Sequence, residues 1–177
     1  MEITRIESFL KYFENIRTRT ERVLDRVPVE HADWRPEPAA FSFCDIIRHL
    51  GAIERWMFAE NVSGRPSRYP GHGPELAHGL DDARAYLRTM HAQAMSILAQ
   101  LTEEDLRRPC TTPGGATLPS WKWLRAMVEH EIHHRGQVYL MLRLLGIDTP
   151  PLYGLTSEEV RARSVPPELP RERVEQT

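Results

Sequence analysis

Two histidines one helical turn apart carry the first chemical signal in this sequence. His130 and His134 lie in the run Glu129-His130-Glu131-Ile132-His133-His134-Arg135-Gly136-Gln137. In a helix, residues i and i+4 project from one face, a turn apart. Trp123, Met127, Met141 and Leu145 continue roughly that face, so the pair points toward a core and not at bulk water. Two neutral imidazoles so placed can chelate a divalent cation, but a pair is rarely enough for a tight site. His49 offers the third ligand, because it follows Ile46 by three residues and precedes Leu50 on the apolar side of another helix. Three imidazoles leave coordination positions open for water or a substrate atom. A cation held that way lowers the pKa of a bound water or thiol and generates a nucleophile near neutral pH.

Neighbouring residues divide into candidates and bystanders. Gln137, one turn after His134, is placed to reach a substrate or a metal-bound water, and Glu131 and Arg135 flank the ligands. His49, His130 and His134 are therefore the candidate metal ligands, with Gln137 and Glu131 as candidate catalytic residues. A lone inward histidine would be read as a hydrogen-bonded core residue; a pair at i, i+4 with a third on another helix favours a metal. His133 projects about 60° from His130 and 100° from His134 around the helix, which sets it on a seam or the surface. His72 and His78 fall in a Gly/Pro-rich loop and read as solvated, while His91 sits at the edge of an apolar stripe. His130, Glu131 and His134 also satisfy H-E-x-x-H, the zinc-protease pattern with Glu131 as general base. A protease needs a further downstream ligand and a sheet-lined cleft. Glu158 and Glu159 are the tempting downstream acids, but they follow a proline break.

Four apolar stripes at helical spacing must position these residues. The first covers about 3–27 (Ile6, Phe9, Phe13, Ile16, Val23) and is stopped by Pro28. The second runs from a capping box of Ser42 and Asp45 to about Val62, burying Phe43, Ile46, Ile47, Leu50, Ile53 and Met57. A third is capped by Asp81 or Asp82 and buries Leu87, Met90, Ala94, Leu98 and Leu101, and the fourth spans about 121–147 after a Ser120 cap. The connection 28–41 holds Trp34-Arg35-Pro36, with Trp34 expected to cover the end of the core. The loop 63–79 is long enough to serve as a flap. Residues 110–119 read as a tight connection or small hairpin. Gly146 with Pro150 and Pro151 closes the last long helix. The fold class this predicts is all-α, an antiparallel four-helix bundle over residues 1–150. The C-terminal extension 151–177 carries a short helix at 157–163, and its end from 165 on reads as loosely ordered.

Composition narrows the class further. The 177 residues are 41% hydrophobic and 27% charged with a net charge of -2, ordinary for one soluble domain with its own core. That charge gives no footprint for nucleic acid or an anionic membrane, and no stretch of about 18 apolar residues spans a bilayer. The first residues lack a signal peptide's apolar run, and Cys44 and Cys110 form no Cys-x-x-Cys pair, so the expected location is the reducing cytoplasm.

Several stretches together resemble the DinB-like (YfiT-like) family of metalloproteins. They are Trp34-Arg35-Pro36, Phe41-Ser42, Ile47-Arg48-His49-Leu50, Glu54-Arg55-Trp56, the run 129–137, and Leu144-Leu145-Gly146. The H-x-x-x-H-R-G-Q stretch is the specific part. The resemblance implies a four-helix bundle with a three-histidine divalent metal site on His49, His130 and His134, the same three that spacing selects. It also implies a metal-dependent enzyme, because relatives include transferases and isomerases that use low-molecular-weight thiols such as bacillithiol or mycothiol; homodimers are common among them. The expected activity is S-transfer to an electrophilic small molecule, with zinc or nickel as the ion and iron or manganese as substitutes, and the loop 63–79 and Trp56 shaping the pocket. A metal-dependent hydrolase and a non-catalytic metal-binding stress-response protein are the alternatives.

Overall fold

A computed structural model describes residues 2–164 of the chain. Its first helix, α1 (Ile6–Leu24), buries Ile6, Phe9, Phe13, Ile16 and Val23 along one face. It is shorter at both ends than its apolar stripe, because the chain leaves it through two tight turns, Arg26 N–H to Val23 O and Val27 N–H to Leu24 O, before Pro28. A single 3₁₀ turn (Val29–His31) follows, and Trp34 packs its ring 6.1 Å from that of Phe43 over one end of the bundle.

α2 (Phe43–Ala52) starts at the Ser42–Asp45 capping box expected of it: Ser42 Oγ accepts from Asp45 N–H, and the Asp45 carboxylate accepts from Ser42 N–H. The rod does not stay regular to Val62. It widens into a π-helical segment over Ile53–Ala59 before resuming as α3 (Glu60–Val62). Such widening recurs at functional sites, and here it turns Glu54 and Phe58 into the interior. α4 (Gly79–Leu98) begins earlier than expected, with His78 at the N-cap and no side-chain cap. Asp81 and Asp82 lie inside its first turn, where they complement the helix dipole instead of capping it.

After α5 (Glu103–Arg107), a hairpin of β1 (Pro109–Thr111) and β2 (Thr117–Pro119) leads into α6 (Ser120–Leu144). Pro119 takes the N-cap position, so Ser120 is the helix's first residue and not its cap. α6 closes at Gly146, whose φ of 72° permits the Ile147 N–H to reach back to Leu142 O. α7 (Ser157–Arg163) is the short helix expected there; the expectation for 165–177 lies outside the described residues.

α1, the α2–α3 rod, α4 and α6 form a four-helix bundle in which α1 packs chiefly on α6 and α2 on α4. α2 and α4 approach closely at Gly51, where a Cβ would lie 3.2 Å from the Leu87 backbone. Two apolar clusters fill the ends, one around Phe13, Phe58, Leu98 and Leu124 and the other around Phe43, Ile47, Leu87 and Leu142. Between them runs a polar belt: Arg17, Thr20, Glu54, His91, Glu131 and Arg135 are all buried. Cys44 and Cys110 are both buried and free. No helix among the described residues is long and apolar enough to cross a membrane.

Candidate metal centre

The polar belt meets the bundle's side where α2 faces α6, and there the three predicted histidines converge. His49 Nε2 lies 3.0 Å from His130 Nε2, which lies 3.1 Å from His134 Nε2. All three ligand atoms fall within 4.8 Å of one another. Nitrogens bound tetrahedrally to zinc at about 2.0–2.1 Å sit roughly 3.3 Å apart, so the spacing is close to that of three ligands sharing one ion. No fourth His, Cys, Asp or Glu joins this cluster among the described residues.

Burial first, and then the neighbouring imidazoles, push His49 down to about 4 and His130 to about 3. His134 is lowered as well, by burial first, against an opposing hydrogen bond with Gln137. All three are therefore neutral at pH 7, the form that binds a metal. Two have their tautomers set from outside. Gln137 Oε1 lies 2.6 Å from His134 Nδ1 and can only accept, so Nδ1 carries the proton and Nε2 keeps its lone pair. His49 Nδ1 lies 2.7 Å from Tyr69 Oη, which in turn lies 2.8 Å from His72 Nδ1. The Tyr69 phenol is held up at about 12, by burial first and the Asp45 charge second, and stays a hydroxyl.

Aromatic rings wall the site. Phe41 lies 5.3 Å from His49 and stacks at 6.5 Å on His134, and Phe58, carried inward by the π segment, is 6.1 Å from His130. The sequence singled out neither phenylalanine for this place, nor Tyr69, which lies in an aperiodic loop without a positional signal. His72, read as a solvated loop residue, instead packs on Phe41 at 4.2 Å and closes the Tyr69 contact. The guanidinium groups of Arg55 and Arg68 lie 4.3 and 4.6 Å from the centre of the Trp56 ring, which lines a cleft of about 480 Å³ with Tyr69, Leu76, Tyr86 and Met90. His133 is exposed, its ring 5.0 Å from that of His134 and outside the ligand group.

Glu131 does not flank the histidines as expected. Its carboxylate turns to α1, accepting from Thr20 Oγ1 at 2.7 Å and pairing with Arg17 at 2.9 Å. Consecutive helix residues point about 100° apart, so a glutamate beside His130 cannot share its face. The general-base role that H-E-x-x-H would give it has no geometric support. Gln137 touches His134 at Nδ1, the ring nitrogen opposite the one that meets His130, which makes it a positioning group for that ring. His91, read as an edge residue, is buried, with Nδ1 2.6 Å from Glu54.

The model of the DinB superfamily matches residues 12–138, a span that contains most of α1, all of α2 and α4, and all three histidines. The chain belongs to the DinB superfamily. Among curated proteins this DinB chain is similar to the uncharacterized protein YjoA of Bacillus subtilis, with 25% identity over 81% of the chain and 93% of YjoA. Its fold resembles that of Bacillus subtilis YfiT, described as a probable metal-dependent hydrolase with an unusual four-helix bundle topology. The TM-score is 0.65 at 14% identity, covering 84% of this chain and 91% of YfiT. It also resembles a mycothiol-dependent maleylpyruvate isomerase, with a TM-score of 0.57 at 13% identity over 76% of this chain and 60% of the isomerase. At these identities the two structures establish the shared fold.

Proposed function

We propose that this DinB protein is a divalent-metal-dependent enzyme that transfers a low-molecular-weight thiol to an electrophilic small molecule. One observation carries the metal-dependent part: three neutral imidazole nitrogens at ligand spacing, with no fourth protein ligand in the group. A structural zinc site is usually closed by four protein ligands, whereas a catalytic site keeps a position for solvent or substrate. His49, His130 and His134 would hold the ion, zinc or nickel by ligand chemistry, with iron or manganese as substitutes. When bound, such an ion lowers the pKa of a thiol or water in its open position.

The chain's own residues supply orientation and shelter. Gln137 and Tyr69 hold the His134 and His49 rings with Nε2 turned to the centre. Phe41 and Phe58 exclude water from two sides. The thiol sulfur would form the new S–C bond as the electrophile's leaving group departs, and the thiol proton passes to solvent. The thiol part of the reading draws on the fold shared with the mycothiol-dependent isomerase. The likeness to YfiT favours a second reading, in which water takes the thiol's place and the enzyme is a hydrolase.

Metal analysis of protein never exposed to a nickel column tests the shared premise. The expected result is about one divalent ion per chain, lost in His49→Ala and His134→Ala. Turnover of electrophilic substrates that requires added thiol supports transfer, and turnover indifferent to thiol supports hydrolysis. A wild-type protein that takes up no zinc or nickel would refute both.

A further inference from the structure

The loop 63–78 reaches the metal centre through one side chain. Its backbone is tied down on the outer side of α2 and the π segment. Arg48, paired with Asp45, donates from Nε to His72 O at 2.7 Å and from Nη1 to Ala77 O at 3.0 Å. Arg68 N–H donates to Trp56 O at 2.9 Å, and Ser67 Oγ to Met57 O at 3.3 Å. Inside this frame the Tyr69 hydroxyl joins His49 to His72.

The direction of that pair of hydrogen bonds follows by elimination. His49 Nε2 faces the other two ligand nitrogens; with that lone pair given to an ion, the ring proton would be on Nδ1 and donated to Tyr69 Oη. The single hydroxyl hydrogen is then left for His72 Nδ1, which accepts it. Every donor in the chain points away from the centre. A cation on Nε2 draws electron density from the His49 ring and makes Nδ1–H a better donor; the polarised Tyr69 oxygen makes its own O–H a better donor to His72.

We propose that Tyr69 is a positioning residue that couples the metal ligand His49 to the loop 63–78, so that loading the three-histidine centre and holding this loop closed are one linked equilibrium. The proposal rests on the metal-binding reading above. Linkage makes the coupling reciprocal: the factor by which loop closure favours the ion equals the factor by which the ion favours closure. If Tyr69 were merely a loop anchor, its hydroxyl would tie His72 in place with or without metal and leave metal affinity alone.

The test is a zinc titration against a chromophoric chelator, paired with amide hydrogen exchange across 63–78 with and without zinc. The proteins are the full chain, Tyr69→Phe, and His72→Phe, which keeps a ring against Phe41 while removing the acceptor. In the wild type, zinc should slow exchange in this loop. Tyr69→Phe should weaken zinc binding about 10–100-fold, the usual cost of losing an outer partner of a ligating histidine, and abolish the slowing. His72→Phe should lose most of the slowing with a smaller change in affinity, and it carries the test if Tyr69→Phe does not fold. Wild-type zinc affinity in Tyr69→Phe, or zinc-dependent slowing retained in full by either variant, would overturn the proposal while leaving the metal site standing. A wild type that binds no zinc would instead remove the metal reading on which it rests.

Discussion

Two polar clusters leave the same two turns of α6 and solve opposite problems. His130 and His134 turn toward α2, and Glu131 and Arg135 turn toward α1. The first cluster holds only bases, three neutral imidazoles with their Nε2 atoms turned to one another. The second supplies its own counter-charges: Glu54 and Glu131 share Arg17, Glu54 also holds His91, and Arg135 donates to Ile16 O. With His91 protonated, the three cations Arg17, Arg135 and His91 meet the acids Glu54 and Glu131 and the half-exposed Glu14. A cluster that carries its own counter-charges serves as a registry pin for α1, α4 and α6. One built from neutral nitrogens alone holds no counter-charge, and under the metal-binding proposal an ion would complete it.

That difference predicts opposite responses to mutation. Arg17→Met should give the largest effect, because it leaves Glu54 and Glu131 facing each other in the interior without their shared cation. Urea unfolding of the metal-free protein should show a loss of about 3–5 kcal/mol, the cost of stripping one partner from a buried ion cluster. His130→Ala, measured the same way, should change metal-free stability far less. Equal losses in the two variants would erase the distinction between pin and site.

Gln137→Leu should leave metal-free stability nearly unchanged, since its side chain is exposed and bonds only His134. Its zinc affinity should fall by about 10–100-fold, because the tautomer and ring angle of His134 are no longer held. A variant that binds zinc as the wild type does would move Gln137 out of the site.

The smallest effect is one of pH. Burial pulls the His91 pKa down, but its hydrogen bond and charge pairing with Glu54 outweigh that and raise it above the ordinary 6.5. Its pairing therefore stabilises the fold fully below about 6.5, and that contribution is lost as pH rises through the folded value. Groups facing it are Glu54, Glu14, Arg17 and Glu131. His49 and His130 have the opposite sign: held near 4 and 3, they cost stability as pH falls below 6.5. In metal-free protein the stability difference between wild type and His91→Gln should thus shrink from pH 6 to pH 8. A difference that grows with pH would reverse the assignment of His91 as a cation of the buried cluster.

Much of the bundle could be read directly from the chain. Apolar residues recurring at helical spacing mark α1, α2, α4 and α6, and Ser42 with Asp45 marks a helix start that the hydrogen bonds bear out. The i, i+4 spacing places His130 and His134 together because helix geometry is local. His49 was legible by the same rule, as an inward residue on another apolar face. Glu131 shows where that reasoning misled: a match to a five-letter motif says nothing about which neighbour a side chain meets, and the helix turns it to Arg17. The π segment carried no signal, since its extra width answers to buried packing around Glu54 and Phe58 and not to residue preference.

By itself, then, the sequence determined the helices, their apolar faces and the three imidazoles, because periodicity and spacing are properties of short stretches. Tertiary structure alone decided which polar residues share a centre. His91 and Glu54 came to Arg17, and Tyr69 with His72 to His49, through contacts between residues 20 and 37 positions apart and through a loop without any repeat. Such pairings depend on how whole helices rotate and dock, and no local pattern encodes that.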